Sequence, residues 1–188
     1  QGYLAAAYDA VRSVGGLAIA DEVQVGYGRT GHHWWAYEMH GVTPDILTVA
    51  KGLAGGFPAG AVLLSADAAR GLKEGALGTP CGGGPLACAL IEAVIGAIES
   101  EGLLGNVRRL SERIRRTCVV GPVERIQGAG FLLGLRTRPP AKEVLAALRE
   151  RGILAGGSAD PHVARLLPPL VLAEEHVDAL AEALNRMP

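Results

Sequence analysis

Charge of one sign, long apolar runs and cysteine are all scarce in this sequence, and each scarcity removes a class of function. Eighteen basic side chains face nineteen acidic ones, a formal net charge of -1, so there is no electrostatic footprint for nucleic acid or an anionic membrane surface. Small molecules or proteins are left as partners. No apolar run approaches the roughly 20 residues of a bilayer span, and Gln1 to Ala10 lack the basic start and apolar core of a signal peptide, so a cytoplasmic location is expected. Three cysteines, Cys81, Cys88 and Cys118, are an odd number without C-x-x-C spacing. They support neither a disulfide framework nor a metal centre and read as free thiols.

What is present is ordinary globular material, 188 residues with 49% hydrophobic and 20% charged side chains, enough for one sizeable or two small domains. The chain opens at Gln1 within what reads as a helix already under way, residues 2–14, so a piece of a longer protein is expected. Gly15-Gly16 stops that helix. Leu17-Ala18-Ile19-Ala20 is a short apolar run of the kind buried on both faces of a sheet, and it ends at Asp21-Glu22. A glycine-rich aromatic loop from Gly26 to Trp35 leads to Pro44-Asp45 and a second strand, Ile46 to Ala50, which delivers Lys51.

Gly52, Gly55, Gly56, Pro58 and Gly60 then predict an irregular loop, Ala61 to Leu64 a third strand, and Leu86 to Ser100 a helix. The helix carries an apolar stripe that includes Val94, Ile95 and Ile98, read as core or a subunit face. Beyond a basic amphipathic helix over 106–117 the texture changes to short strands (125–127 and 131–135) and helices (141–151 and 174–186). The expected organisation is an α/β region over 1–104, then a small α+β domain over 105–188.

Two charged residues at strand ends are the chemical candidates. A lysine at the end of an apolar run among glycines is poorly solvated, and desolvation favours the neutral amine, a nucleophile toward aldehydes. Taken alone, Lys51 reads first as a strand-end lysine with its head in water. Asp21 ends the neighbouring strand, so both groups fall on the sheet edge where open α/β folds bind ligands. A carboxylate there needs a cationic partner, which a protonated ring nitrogen or an ordinary salt bridge could supply. Trp34 and Trp35 are expected beneath the glycine loop, and the adjacent His32 and His33 are badly spaced for a metal and expected in solvent.

The ordered segments Asp21-Glu22-Val23-Gln24, Gly26-Tyr27-Gly28-Arg29-Thr30-Gly31 and Pro44 to Leu53 lead to a resemblance. It continues through Gly82 to Ala89, Gln127 to Gly134 and Arg165 to Leu170. The whole chain resembles the C-terminal half of class III pyridoxal-phosphate-dependent aminotransferases, most closely the acetylornithine and ornithine group. The resemblance implies part of a large transferase domain of the aspartate aminotransferase type (fold type I), followed by a small α+β domain. It also implies pyridoxal 5'-phosphate as cofactor, ping-pong transfer of an ω-amino group from a small-molecule donor to a 2-oxo acid such as 2-oxoglutarate, and a homodimer.

By the same resemblance Lys51 is the Schiff-base and proton-transfer residue. Asp21 pairs with the ring nitrogen, Val23 packs on the ring and Gln24 approaches its hydroxyl, with Glu22 in the same cofactor-binding run. Arg165 holds the substrate α-carboxylate, which suits a guanidinium. 4-Aminobutyrate or another ω-amino acid is an alternative donor, and a truncated non-catalytic remnant is the alternative from another class.

The pattern breaks at Thr79-Pro80-Cys81. The family usually has two adjacent hydroxyl residues and then an aromatic, the second hydroxyl binding the cofactor phosphate across the dimer interface. Pro80 has neither a hydroxyl nor an N–H to donate, so Thr79 is left as the residue here for cofactor and substrate contact.

Overall fold

Ile46 to Val49 is too short and too apolar to stand alone, and the chain surrounds it with backbone partners on both sides. In the computed structural model, which describes residues 2–187, it is strand β2 (Ile46–Val49) of a three-stranded sheet. β1 (Ile19–Asp21) pairs with it in parallel, Asp21 opposite Thr48, and β3 (Ala61–Leu64) pairs antiparallel on its other side, Val62 opposite Thr48. Helix α1 (Tyr3–Ser13) precedes the sheet, while the short α2 (Ala66–Ala69) and the longer α3 (Pro85–Ser100) follow it. Ser65 caps α2 by accepting the Ala68 N–H at 3.1 Å.

The chain forms two compact units, this one up to Gly102 and a second made of Arg29–His32 with the chain from Leu103 onward. In the first, Ala20, Leu47, Val49 and Leu53 are buried together, with Tyr27, Trp35, Tyr37 and Ile91 packed on them. The opposite face of the same sheet is open. Ile19 is 58% exposed and Val62 62% exposed. A strand buried on both faces was expected over 17–20; β1 instead alternates exposed and buried residues, because the described residues cover only one face of the sheet. The stripe on α3 is likewise half-buried, and only Ile98 is fully inside.

In the second unit α4 (Leu103–Thr117), α5 (Ala141–Glu150) and α6 (Glu174–Asn185) accompany an antiparallel sheet of β4 (Val123–Ala129), β5 (Leu132–Thr137) and β6 (Val163–Leu166) in the order β4-β5-β6. The spacing of Val107, Leu110 and Ile114 puts them on one face of α4, and they share a core with Phe131, Leu133, Leu135, Leu148 and Leu184. β4 turns into β5 through Gly130-Phe131, with Gly130 at φ 51 in the first central position, the conformation that glycine adopts without strain. Strand β6 was not expected. Its four residues lie between Pro161 and Pro168, and their antiparallel partner is β5, roughly thirty residues earlier.

Candidate active site

Parallel pairing puts the C-terminal ends of β1 and β2 on one edge. The ladder runs one step beyond Asp21, since Glu22 N–H donates to the Thr48 carbonyl at 3.0 Å, and Lys51 follows two residues after β2. The structure thus brings Asp21 and Lys51 to the same sheet edge, as expected. Asp21 is exposed and accepts the Val23 N–H at 3.1 Å. Neither Asp21 nor Lys51 enters an ion pair among the described residues. A carboxylate and an amine, neither of them in an ion pair among the described residues, thus follow from adjacent parallel strands. Val23 is half-buried and Gln24 exposed beside them.

Glu22, which the resemblance placed in the same run, differs from its neighbours in its surroundings. It is buried, and its two carboxylate oxygens accept the Ala36 and Tyr37 N–H groups, each at 2.9 Å. Those N–H groups open the 3-10 turn Ala36–His40, so Glu22 satisfies the free donors of a helix start and binds the aromatic loop to the end of β1. Alternation along a strand turns it away from the face that Asp21 shares.

Lys51 opens a second 3-10 turn, Lys51–Ala54, where an irregular loop was expected. Its φ is 52, and it shares positive φ only with Tyr27, at 58, among the described non-glycine residues. Such a backbone disfavours an L side chain and is retained where surrounding structure holds it, typically at functional sites. The poor solvation expected for Lys51 is not provided by this chain, because the side chain is exposed.

The aromatic loop packs as expected. Tyr27 meets Trp35 edge-on at 5.0 Å between ring centres and Trp34 at 6.2 Å. Gly26 lies so close to the Trp35 ring that a Cβ would sit 2.8 Å from it, and burial pushes the Tyr27 hydroxyl above its ordinary pKa. His32 and His33 are exposed, and the described residues contain no cluster suited to a metal ion.

Thr79 lies in an exposed stretch, 70–83, where its carbonyl accepts the Gly82 N–H at 3.3 Å. No described hydrogen bond joins it to Asp21 or Lys51. Cys81 and Cys88 are exposed free thiols and Cys118 is a buried one.

Arg165 belongs to the second unit. It sits on β6 opposite Gly134, and its backbone exchanges hydrogen bonds with Gly156, at 2.7 and 2.9 Å. The residue is exposed, has no acidic partner among the described residues, and lines a groove of about 680 Å³ together with Ile153, Leu166, Leu172 and Val177. Arg29, quoted in the sequence only as part of a glycine motif, is half-buried there and donates to the Pro168 carbonyl. Its signal was an arginine inside a glycine-rich loop with no acid nearby in sequence. No helix among the described residues is long and apolar enough to cross a membrane.

Known proteins match both the sequence and the fold. The family model described as "Aminotransferase class-III" matches residues 1–187. Acetylornithine aminotransferase of Streptomyces coelicolor is 46% identical over 97% of this chain and 46% of its own length. An ornithine aminotransferase structure from Toxoplasma gondii, whose description mentions partial occupancy of PLP at its active site, superposes with a TM-score of 0.86 at 31% identity. It covers 98% of this chain and 45% of that one. A phospholyase from Arthrobacter, solved with phosphoethanolamine, gives 0.87 at 31% identity, over all of this chain and 50% of its own. The chain spans about half the length of the curated relatives it matches. With a family match across nearly every residue, and a lysine and an aspartate at the ends of paired parallel strands within it, the chain belongs to the class-III aminotransferases.

Proposed function

We propose that the protein containing this chain is a pyridoxal-phosphate-dependent aminotransferase that moves an ω-amino group from an acetylornithine- or ornithine-like donor to 2-oxoglutarate. The observation that carries this reading is Lys51, held at positive φ just past the strand that pairs with Asp21. The similarity to acetylornithine aminotransferases at 46% identity favours amine transfer over the lyase chemistry named for the Arthrobacter relative at 31%. We read the first unit as part of the large cofactor-binding domain and the second as the small α+β domain. A homodimer, as the resemblance implies, and a cytoplasmic location are part of the same reading.

The residues present fit the ring end of the cofactor. Among the described residues, Asp21 offers a carboxylate with no cation on it, and Lys51 an amine with no acid on it. The phosphate end is less well served, since of Thr79-Pro80-Cys81 only Thr79 has a hydroxyl. One missing charge-assisted hydrogen bond weakens binding by roughly 1.5 to 3 kcal/mol. When bound, pyridoxal phosphate supplies an aldehyde for amine exchange and a ring that withdraws electrons from the substrate carbon.

The chain's own residues do the rest. Asp21 holds a proton at the ring nitrogen, Val23 packs against the ring and Gln24 meets its hydroxyl. Lys51 Nζ is the anchoring amine and, once freed by the donor, the base that takes the proton from the carbon bearing the transferred amine. Arg165 grips the acceptor's α-carboxylate through two parallel N–H bonds. Donor and acceptor use the site in turn, which gives ping-pong order.

The test uses the protein that contains this chain. Borohydride reduction with pyridoxal phosphate present is expected to fix the cofactor on the peptide that carries Lys51, read by mass spectrometry. Glutamate formation from 2-oxoglutarate is expected in the same protein, and Lys51→Ala should remove both. Glutamate formed at an undiminished rate by Lys51→Ala would sink the assignment.

A further inference from the structure

The segment Arg29–His32 belongs to the second unit and is strapped down there at several points. The Arg29 carbonyl accepts the Phe131 N–H at 2.9 Å, and the Gly31 carbonyl accepts from Arg108 Nη1 at 2.5 Å. The strap presses on the turn between β4 and β5 so closely that a Cβ on Gly130 would lie 2.2 Å from the Arg29 carbonyl oxygen. With its backbone held this way, Arg29 directs its guanidinium to one place, the carbonyl of Pro168.

This is an unusual use of an arginine. Arg29 is half-buried with no acid partner among the described residues, and burial pulls its pKa below the ordinary value. Holding a cation on a neutral carbonyl in such a place costs free energy that a purely structural contact could avoid with an apolar side chain. What it holds is the exit of β6. Pro168 and Pro169 follow Arg165-Leu166-Leu167, and neither proline has an N–H to tie the chain to a neighbour. The Arg29 contact is the one hydrogen bond to the Pro168 carbonyl among the described residues.

We propose that Arg29 is a positioning residue for Arg165, fixing through the Pro168 carbonyl the path on which β6 leaves its sheet and so the aim of the Arg165 guanidinium. It rests on the reading of Arg165 as the group that holds the acceptor's carboxylate. Loss of Arg29 then weakens recognition of the carboxylate and leaves the amine chemistry alone.

The experiment compares two acceptors in the whole, cofactor-loaded protein, 2-oxoglutarate and the neutral aldehyde butanal, which has no carboxylate to grip. Arg29→Met is expected to raise KM for 2-oxoglutarate about tenfold, the effect of one hydrogen bond to a charged group, with KM for butanal and kcat at saturation within about twofold. Arg29→Lys, which keeps the charge and a donor, should recover part of the loss. Arg165→Met should show the same acceptor-selective loss, and the double variant should add little to it.

Equal losses for both acceptors in Arg29→Met would overturn the inference and leave a general structural role. If Arg165→Met itself shows no selectivity, the reading of Arg165 fails; if Arg165→Met is selective and Arg29→Met is not, the Arg29 inference alone fails. Should Arg29→Met not fold, Arg29→Lys decides by the same ratio. A selective shift supports the role of Arg29 and an unselective shift, or none, removes it.

Discussion

A lysine at φ 52 is held against its own preference. The left-handed region costs an ordinary L residue about 1 kcal/mol or more, and asparagine is among the few side chains that tolerate it. In the protein without cofactor, Lys51→Asn is therefore expected to raise unfolding free energy by about 1 kcal/mol while cofactor attachment is lost. Denaturant unfolding, followed for both proteins in the absence of pyridoxal phosphate, checks this. A variant less stable than the parent would show that Lys51 contributes contacts in the free protein that outweigh the backbone strain. The identity of Lys51 was legible in the sequence from its place after an apolar run. Its backbone was not, because a preference-breaking φ is imposed by neighbours in space, here the turn that leads into Leu53 and Ala54. The hydrogen-bond partners of Glu22 were hidden for a related reason. Adjacent acidic residues look equivalent in a sequence, and only the alternation of β1 and the free N–H groups of residues 36 and 37 separate a buried structural carboxylate from an exposed one.

At the scale of elements, α1 is tied to the entry of β2 by one carboxylate. Asp45 accepts from Arg12 Nε and Nη2 at 3.1 Å each and from the Ala18 N–H at 2.8 Å. The Arg12 hydrogen bonds, followed by the Ala18 N–H, hold the Asp45 carboxyl below its ordinary pKa of 3.8. A carboxylate with a lowered native pKa stabilises the fold above its unfolded value and loses that contribution as pH falls through the native one. The stability difference between the parent and Asp45→Asn should thus be constant from neutral pH down to about 5, shrink below about 4, and level off once the native carboxyl is protonated. Chemical denaturation across that range measures it, and a difference that grows on acidification would contradict the tie. The helices and most strands could be read from apolar spacing because their partners are near in sequence or their faces are long. β6 could not, since four residues between prolines acquire strand geometry only from β5, a contact that periodicity does not encode.

For the molecule as a whole, the informative feature is the sheet of the first unit. Register places Ile19, Ile46 and Leu64 in one row and Thr48 and Val62 in the next, all on one face, while Ala20, Leu47 and Val49 occupy the other face and are buried. Parallel pairs are ordinarily covered on both sides, so the apolar run at 17–20 carried a correct message about composition that the described residues satisfy on one side only. Leu17 and Leu86 add to the exposed apolar surface, at 52% and 60%. Apolar surface of this kind drives association in water. The 188-residue chain prepared by itself is expected to self-associate and to bind the dye ANS. Ile19→Thr with Val62→Thr, which keeps the β-branched shape that strands favour, should reduce both. Sedimentation velocity and dye fluorescence of the two proteins at equal concentration test this. If the double variant associates as strongly as the parent, the open face of this sheet is not the adhesive surface, and the exposed apolar residues elsewhere in the chain must account for it.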